Sequence, residues 1–127
     1  MAARSGQAHI AWQLMHVGVT ELIVATERLG PSKPHLHKDL WPRFRGGSVP
    51  SDDDVPSLDA ITAILAEGRR ELLDTLTRWT DDALDELPFE GSKFTLRGWL
   101  GLIPWHEGHH HGQAHLTLNL YNAAHAS

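Results

Sequence analysis

The chain has 127 residues, a length that predicts one domain with a single hydrophobic core over residues 1–127. Its formal net charge is −5 and it contains only 11 Lys and Arg residues, without a basic stripe, so neither nucleic acid nor an anionic membrane surface is an expected partner. The absence of cysteine excludes disulfides, thiolate metal ligands and a cysteine nucleophile, so a bound metal would have nitrogen and oxygen ligands.

The first helix is predicted at about residues 7–29, where apolar or small residues recur every three or four positions. A neighbouring stripe of the same helix contains His16 among apolar residues. Gly30 and Pro31 end the helix, because glycine suits the position after the last turn and proline cannot continue it. The predicted core stripe consists of Ala11, Met15, Gly18, Leu22, Ala25 and Leu29.

Residues 30–56 form a long crossover loop that contains seven prolines and glycines before the acidic run at 52–54. Such a loop brings the next helix of a bundle back in a chosen direction, and long loops often cover a functional site. Two interpretations of its aromatic and basic residues remain open: Trp41, Arg43, Phe44 and Arg45 form a substrate lid, or Trp41 and Phe44 pack on the end of the bundle. We favour packing.

Two further helices are predicted, at about residues 57–79 and 95–122. Ser57 and Thr95 are suitable N-cap residues for them. No segment alternates with period two for long enough to predict a strand, so the fold class is all-α. The core stripe of the second helix is predicted to contain Leu58, Ile61, Leu65, Gly68, Leu72, Leu76 and Trp79.

Two histidines stand on the apolar stripe of the third helix, four residues apart. The stripe comprises Leu96, Leu100, Ile103, His106, His110, Ala114, Thr117 and Tyr121. Imidazoles on such a face cost free energy unless their ring nitrogens find partners, and one divalent cation would satisfy both. The alternative is a pair of core histidines bonded to backbone carbonyls or to each other through water. His109 and His111 fall off the stripe.

The segment from His106 to His110 also fits the zincin pattern His-Glu-x-x-His, in which Glu107 would act as general base. Gln113 and Leu116 stand where a metzincin requires glycine and histidine, and no acidic residue follows Glu107. Since a catalytic zinc site usually has three protein ligands, the third ligand must come from upstream.

His16 is the best candidate for this third ligand, because it lies on an apolar stripe in the middle of a helix that must pack on the last one. His9 stands near the fraying start of that helix. His35 and His37 in the loop remain alternative ligands in a closed state of the protein.

Two segments resemble the DinB/YfiT-like family of metal-binding helical bundles. Residues 106–113, His-Glu-Gly-His-His-His-Gly-Gln, resemble the last-helix motif His-Glu-x-x-His-x-Gly-Gln of this family, and residues 10–17, Ile-Ala-Trp-Gln-Leu-Met-His-Val, resemble its first metal helix. The resemblance covers about residues 7–121. It implies a four-helix-bundle type of fold and a metal site formed by His16, His106 and His110.

The helix that precedes the first metal helix in the family is missing from this pattern, which shows three long helices and one crossover loop. Three amphipathic helices leave an apolar groove, so we expect a homodimer in which the second subunit fills it. No apolar run reaches the roughly 20 residues of a membrane span and no signal-peptide core is present, so we expect a cytoplasmic protein that does not enter a membrane.

The expected cofactor is a divalent ion of zinc, nickel, iron, cobalt or manganese, with zinc or nickel favoured. The resemblance implies a small-molecule substrate, for example a low-molecular-weight thiol, and an enzyme that activates a thiol or water as a thiol S-transferase or a hydrolase. Glu107 and Gln113 are expected to support the imidazoles, and no catalytic residue is assigned. The alternative is a non-catalytic helical module for interaction or stress, either stapled by the metal or free of it.

Overall fold

The computed structural model describes residues 2–30, 32, 34 and 37–126, with side chains from residue 9 onward. Helix α1 spans Ala2–Ile23 and continues directly into a π-helical turn at Val24–Arg28. A one-turn helix α2 follows at Trp41–Phe44, then α3 at Leu58–Leu76 and α4 at Leu96–Ala124. The described residues contain no strand, so the prediction of an all-α bundle is confirmed.

Helix α1 is the centre of the bundle, since both α3 and α4 pack against it. Its predicted core stripe is buried along its whole length, from Ala11 at 5% exposure to Leu29 at 1%. One apolar cluster joins α1, α2 and α3, and a second joins the end of α1 to α3 and the start of α4. Trp41 and Phe44 belong to the first cluster. Their burial there supports the interpretation that they pack on the bundle and not the interpretation that they form a lid.

Two glycines let α1 and α3 approach closely. A Cβ atom at Gly68 would lie 2.7 Å from the carbonyl oxygen of Gly18, and one at Gly18 would lie 2.3 Å from the Ile64 side chain. Both distances are shorter than van der Waals contact, so only glycine fits at either position without a shift of the helices. This crossing holds α3 against the middle of α1, a short distance along α1 from His16.

The starts of α3 and α4 are set by the predicted caps. The Ser57 hydroxyl accepts a hydrogen bond from the Ala60 amide, and the Thr95 hydroxyl accepts one from the Gly98 amide, each at 3.1 Å. These bonds satisfy amides that have no partner within the helix. The prediction that Leu58 belongs to the core is wrong, because this first residue of α3 is 76% exposed.

A groove separates α3 from α4, whose backbones hardly approach each other within the described part of the chain. The Arg69 guanidinium of α3 crosses this groove to the Glu107 carboxylate of α4 and also binds the Glu21 carboxylate of α1 at 3.0 Å. Apolar side chains line the groove on both sides of this ion pair, including Leu73 and Ile103. None of the described helices is long and apolar enough to cross a membrane.

Candidate metal centre

The structure brings His16, His106 and His110 together. His16 comes from the middle of α1, and the other two stand one turn apart on the face of α4 that packs against it. One ring nitrogen of each imidazole lies within 4.8 Å of those of the other two. The Nε2 atoms of His16 and His106 are 3.1 Å apart, and the His110 ring centroid lies 4.4 Å from each of the other two centroids.

The crossover segment, at the end of α2 and just after it, orients the buried imidazole of His16. Its Nδ1–H donates a hydrogen bond of 2.6 Å to the backbone carbonyl of Phe44, so Nε2 keeps its lone pair and faces His106. Trp12, one turn earlier in α1, stacks on the His16 ring at a centroid distance of 4.6 Å. The Trp12 indole N–H in turn donates to the Ser48 hydroxyl at 2.9 Å. The crossover loop therefore sets both the rotation and the tautomer of His16.

His110 is oriented by a residue that the sequence did not single out. Its Nδ1 contacts the amide oxygen of Gln13, and the Gln13 amide nitrogen lies 3.1 Å from Nε2 of His9. Gln13 is a polar side chain with only 3% exposure. The sequence does contain a signal for it, because Gln13 precedes His16 by three positions and therefore lies on a neighbouring part of the same helix face.

The three imidazoles are neutral at ordinary pH. Burial lowers the pKa of His16, and its hydrogen bond to the Phe44 carbonyl only partly opposes this. Burial, followed by repulsion from His16 and His109, lowers the pKa of His106 to about 4. Burial, followed by repulsion from His16, His106 and His109, also lowers the pKa of His110 to about 4. Neutral imidazoles carry the lone pairs that a metal ion needs.

The arrangement fits a divalent metal ion of the zinc type. Zinc–nitrogen bonds of about 2.0–2.1 Å in tetrahedral geometry separate two ligand nitrogens by about 3.3 Å, close to the 3.1 Å between His16 and His106. Among the described residues, the cluster consists of three histidines and no carboxylate. Three nitrogen ligands leave the fourth tetrahedral position free, as in catalytic zinc sites.

The predicted supporting role of Glu107 is wrong. Its carboxylate contacts the Arg69 guanidinium across the groove instead of an imidazole. Arg69 forms ion pairs with both Glu107 and the buried Glu21. Burial raises the pKa of Glu21, although the bond to Arg69 opposes this rise. Glu107 points away from the cluster because it follows His106 directly and so lies about 100° around the helix. Its contribution is to tie α4 to α3.

The other predicted residues have different places. Gln113 is exposed, and its side-chain hydrogen bond to His110 slightly opposes the fall in pKa of that imidazole. His109 stacks on the exposed Trp105 at 5.1 Å, outside the cluster, as its position off the stripe predicted. His37 does not join the three-histidine cluster of the described residues. His35 lies outside the described residues.

A small apolar cavity adjoins the cluster between α1 and α4. Its volume is about 90 Å³, and its polar lining residues are Thr20, Glu21, His106 and Glu107. Its apolar walls are formed by Val17, Val24, Trp99, Leu102 and Ile103. Apolar pockets with a few polar groups at the lining are the usual form of small-molecule sites.

Similarity to known proteins agrees with the resemblance noted in the sequence. It matches the family model of the DinB superfamily over residues 2–114, which include α1, α3 and the turns of α4 that carry His106 and His110. No curated protein and no solved structure matches it. Because the family model covers most of its length, the chain belongs to the DinB superfamily.

Proposed function

We propose that the protein binds one divalent metal ion through Nε2 of His16, His106 and His110 and is a metal-dependent enzyme that activates a thiol or water. The observation that carries this proposal is the convergence of three neutral imidazoles, two of which have Nδ1 engaged by Phe44 or Gln13. Such an ion supplies Lewis-acid chemistry and lowers the pKa of a water or thiol that reaches it. Zinc or nickel suits this all-nitrogen donor set.

The surroundings of the cluster support a small-molecule substrate. His106 and His110 are only partly buried, so a ligand can reach the side of the cluster away from α1. The apolar cavity beside His106 suits the carbon skeleton of a small substrate, and a low-molecular-weight thiol combines such a skeleton with a group that binds a metal. Thiol S-transfer and hydrolysis are the two reaction classes that we propose.

Elemental analysis of untagged protein tests the metal site. We expect one equivalent of divalent metal in the wild type and loss of this metal in His16→Ala, His106→Ala and His110→Ala. His109→Ala is the matched control, because His109 neighbours His110 in sequence but stacks on Trp105 outside the cluster. Equal metal content in all of these proteins would refute the site.

A metal that only staples α1 to α4 is the second candidate, because the three histidines join these two helices and no others. Cobalt substitution separates the two functions. The enzyme predicts an absorption spectrum that shifts on addition of a small thiol, since a coordination position is free. A spectrum that does not change on addition of the thiol would favour a purely structural metal. Protein without stoichiometric metal would favour a metal-free module.

We also propose that the protein is a homodimer, in which the partner subunit covers the groove between α3 and α4. Leu73 on the α3 wall is 56% exposed, and Ile103 and Pro104 line the α4 wall. Sedimentation at micromolar concentration should show a dimer in the wild type and a monomer in Leu73→Glu, with Leu118→Glu as a control on another exposed position. A wild-type monomer would refute the dimer.

The single domain over residues 1–127 and the cytoplasmic location remain predictions.

A further inference from the structure

We propose that Gln13 is a positioning residue that holds His110 in the Nδ1–H tautomer and thereby turns the Nε2 lone pair of His110 toward His16 and His106. The inference rests on the proposed metal site and extends it to a buried amide that does not itself bind the ion. Imidazole ligands are commonly oriented by a hydrogen bond to the ring nitrogen that does not face the metal.

Burial makes the amide of Gln13 a strong constraint. The side chain is 3% exposed, so water cannot easily replace either of its partners, and an unmet amide group there would cost free energy. Its oxygen faces Nδ1 of His110, and its nitrogen faces Nε2 of His9 at 3.1 Å. An amide oxygen only accepts hydrogen bonds, so Nδ1 of His110 must carry the proton.

His9 is the partner of the amide nitrogen of Gln13. The Gln13 N–H group donates to Nε2 of His9, which requires an unprotonated Nε2 on that ring. The reversed amide would place two donor hydrogens against Nδ1 of His110 and would force the His110 proton onto Nε2. That proton would point into the cluster and compete with a metal ion. With the amide in the orientation that the structure gives it, the proton of His110 lies on Nδ1, and Nε2 of His110 is free to bind a metal.

The ring nitrogens of the other two cluster histidines have different partners from those of His110. His16 has an equivalent bond, from its Nδ1 to the Phe44 carbonyl, but there the acceptor is backbone and cannot be mutated away. In His106, the nitrogen with a partner is Nε2, which lies 3.1 Å from Nε2 of His16. Gln13 is the side chain that the structure places against Nδ1 of His110, which makes it the position where substitution can test tautomer control directly.

The experiment compares Gln13→Met, Gln13→Glu and Gln113→Leu with the wild type. Methionine keeps the length of the side chain without an amide, whereas glutamate keeps an oxygen that accepts the Nδ1 proton. Gln113→Leu removes the exposed amide that also contacts His110. The first readout is the imidazole tautomer in metal-free, nitrogen-15-labelled protein at about pH 8, above the ordinary histidine pKa. A His110→Asn spectrum assigns the signals of this ring.

We expect His110 to be the Nδ1–H tautomer in the wild type, in Gln13→Glu and in Gln113→Leu, and a mixture of tautomers in Gln13→Met. The second readout is zinc affinity by competition with a chelator. Gln13→Met should bind zinc about 10- to 100-fold more weakly, and Gln13→Glu should restore the affinity. Thermal unfolding of the metal-free variants checks that each one is folded.

The Nε2–H tautomer of His110 in metal-free wild type would overturn the inference. So would a Gln13→Met protein with wild-type zinc affinity, or a loss in Gln113→Leu as large as the loss in Gln13→Met. If the wild type binds no zinc at all, the proposed function fails, but the tautomer comparison in metal-free protein still decides the role of Gln13.

Discussion

The metal-free protein should lose stability as the pH falls from about 6.5 to about 4, because two cluster histidines resist protonation in the folded state. Burial and the neighbouring imidazoles lower the pKa of His106 and of His110 to about 4. In the unfolded chain each histidine has its ordinary pKa of about 6.5. The unfolded state therefore binds protons first, and the free energy of unfolding is highest above pH 6.5 and falls toward pH 4.

The size of the effect follows from these pKa values. With a pKa of about 4 in the folded and about 6.5 in the unfolded state, one histidine lowers the free energy of unfolding by about 2 kcal/mol at about pH 5. Both side chains are partly exposed, and solvent screening weakens the repulsion that contributes to the shift. We therefore add the contributions of the two histidines, take half of that sum, and expect a loss of about 2 kcal/mol for His106 and His110 together.

The carboxylates with shifted pKa values do not cause a similar loss of stability between about pH 6.5 and 5. Hydrogen bonds to Lys38 and Ser32 lower the pKa of Glu27 from its ordinary 4.5, so its contribution is lost only at more acidic pH. Burial raises the pKa of Glu21, so protonation of this group stabilises the folded state as the pH falls, in the opposite sense. The histidines therefore dominate the downward slope between about pH 6.5 and 5.

Urea unfolding in the presence of a chelator measures this slope. The matched control is the double variant His106→Gln/His110→Gln, which keeps polar side chains of similar size but does not titrate. From about pH 7 to about pH 5, the wild type should lose about 2 kcal/mol more than the control. Equal slopes for the two proteins would show that the imidazoles are solvated in the folded state and would refute the reasoning.

Three substitutions test the packing and the caps by urea unfolding of metal-free protein. Gly68→Ala should lower the free energy of unfolding by about 1–2 kcal/mol, because the new Cβ meets the Gly18 carbonyl oxygen at 2.7 Å and helix propensity offsets only part of that cost. Gly112→Ala, where a Cβ meets nothing within 4 Å, should raise it by about 0.5–1 kcal/mol; a loss there would contradict the packing. Thr95→Ala should lower it by about 1 kcal/mol, because the Gly98 amide loses its acceptor, and an unchanged value would show that water replaces the cap.

The sequence alone identified the three long helices, their caps at Ser57 and Thr95, and the stripe of α1 that forms the core. Each of these rests on local physics, namely the 3.6-residue period of a helix and the unpaired amides of its first turn. Local spacing also selected His16, His106 and His110, because imidazoles on apolar stripes are costly without partners. The pattern could not show that Leu58 is exposed, since burial at a helix end depends on whether another element covers it.

The tertiary structure decided how the selected histidines are oriented. Phe44 reaches His16 from 28 positions away in the chain, and Gln13 reaches His110 from 97 positions away. Arg69 draws Glu107 toward α3, 38 positions away, although its spacing had suggested a place beside the imidazoles. Periodicity tells which side of a helix a residue occupies, but the tautomer of an imidazole and the partner of a carboxylate depend on atoms from other helices and loops. The sequence therefore determined which histidines can meet, and only the fold determined which of their nitrogens face one another.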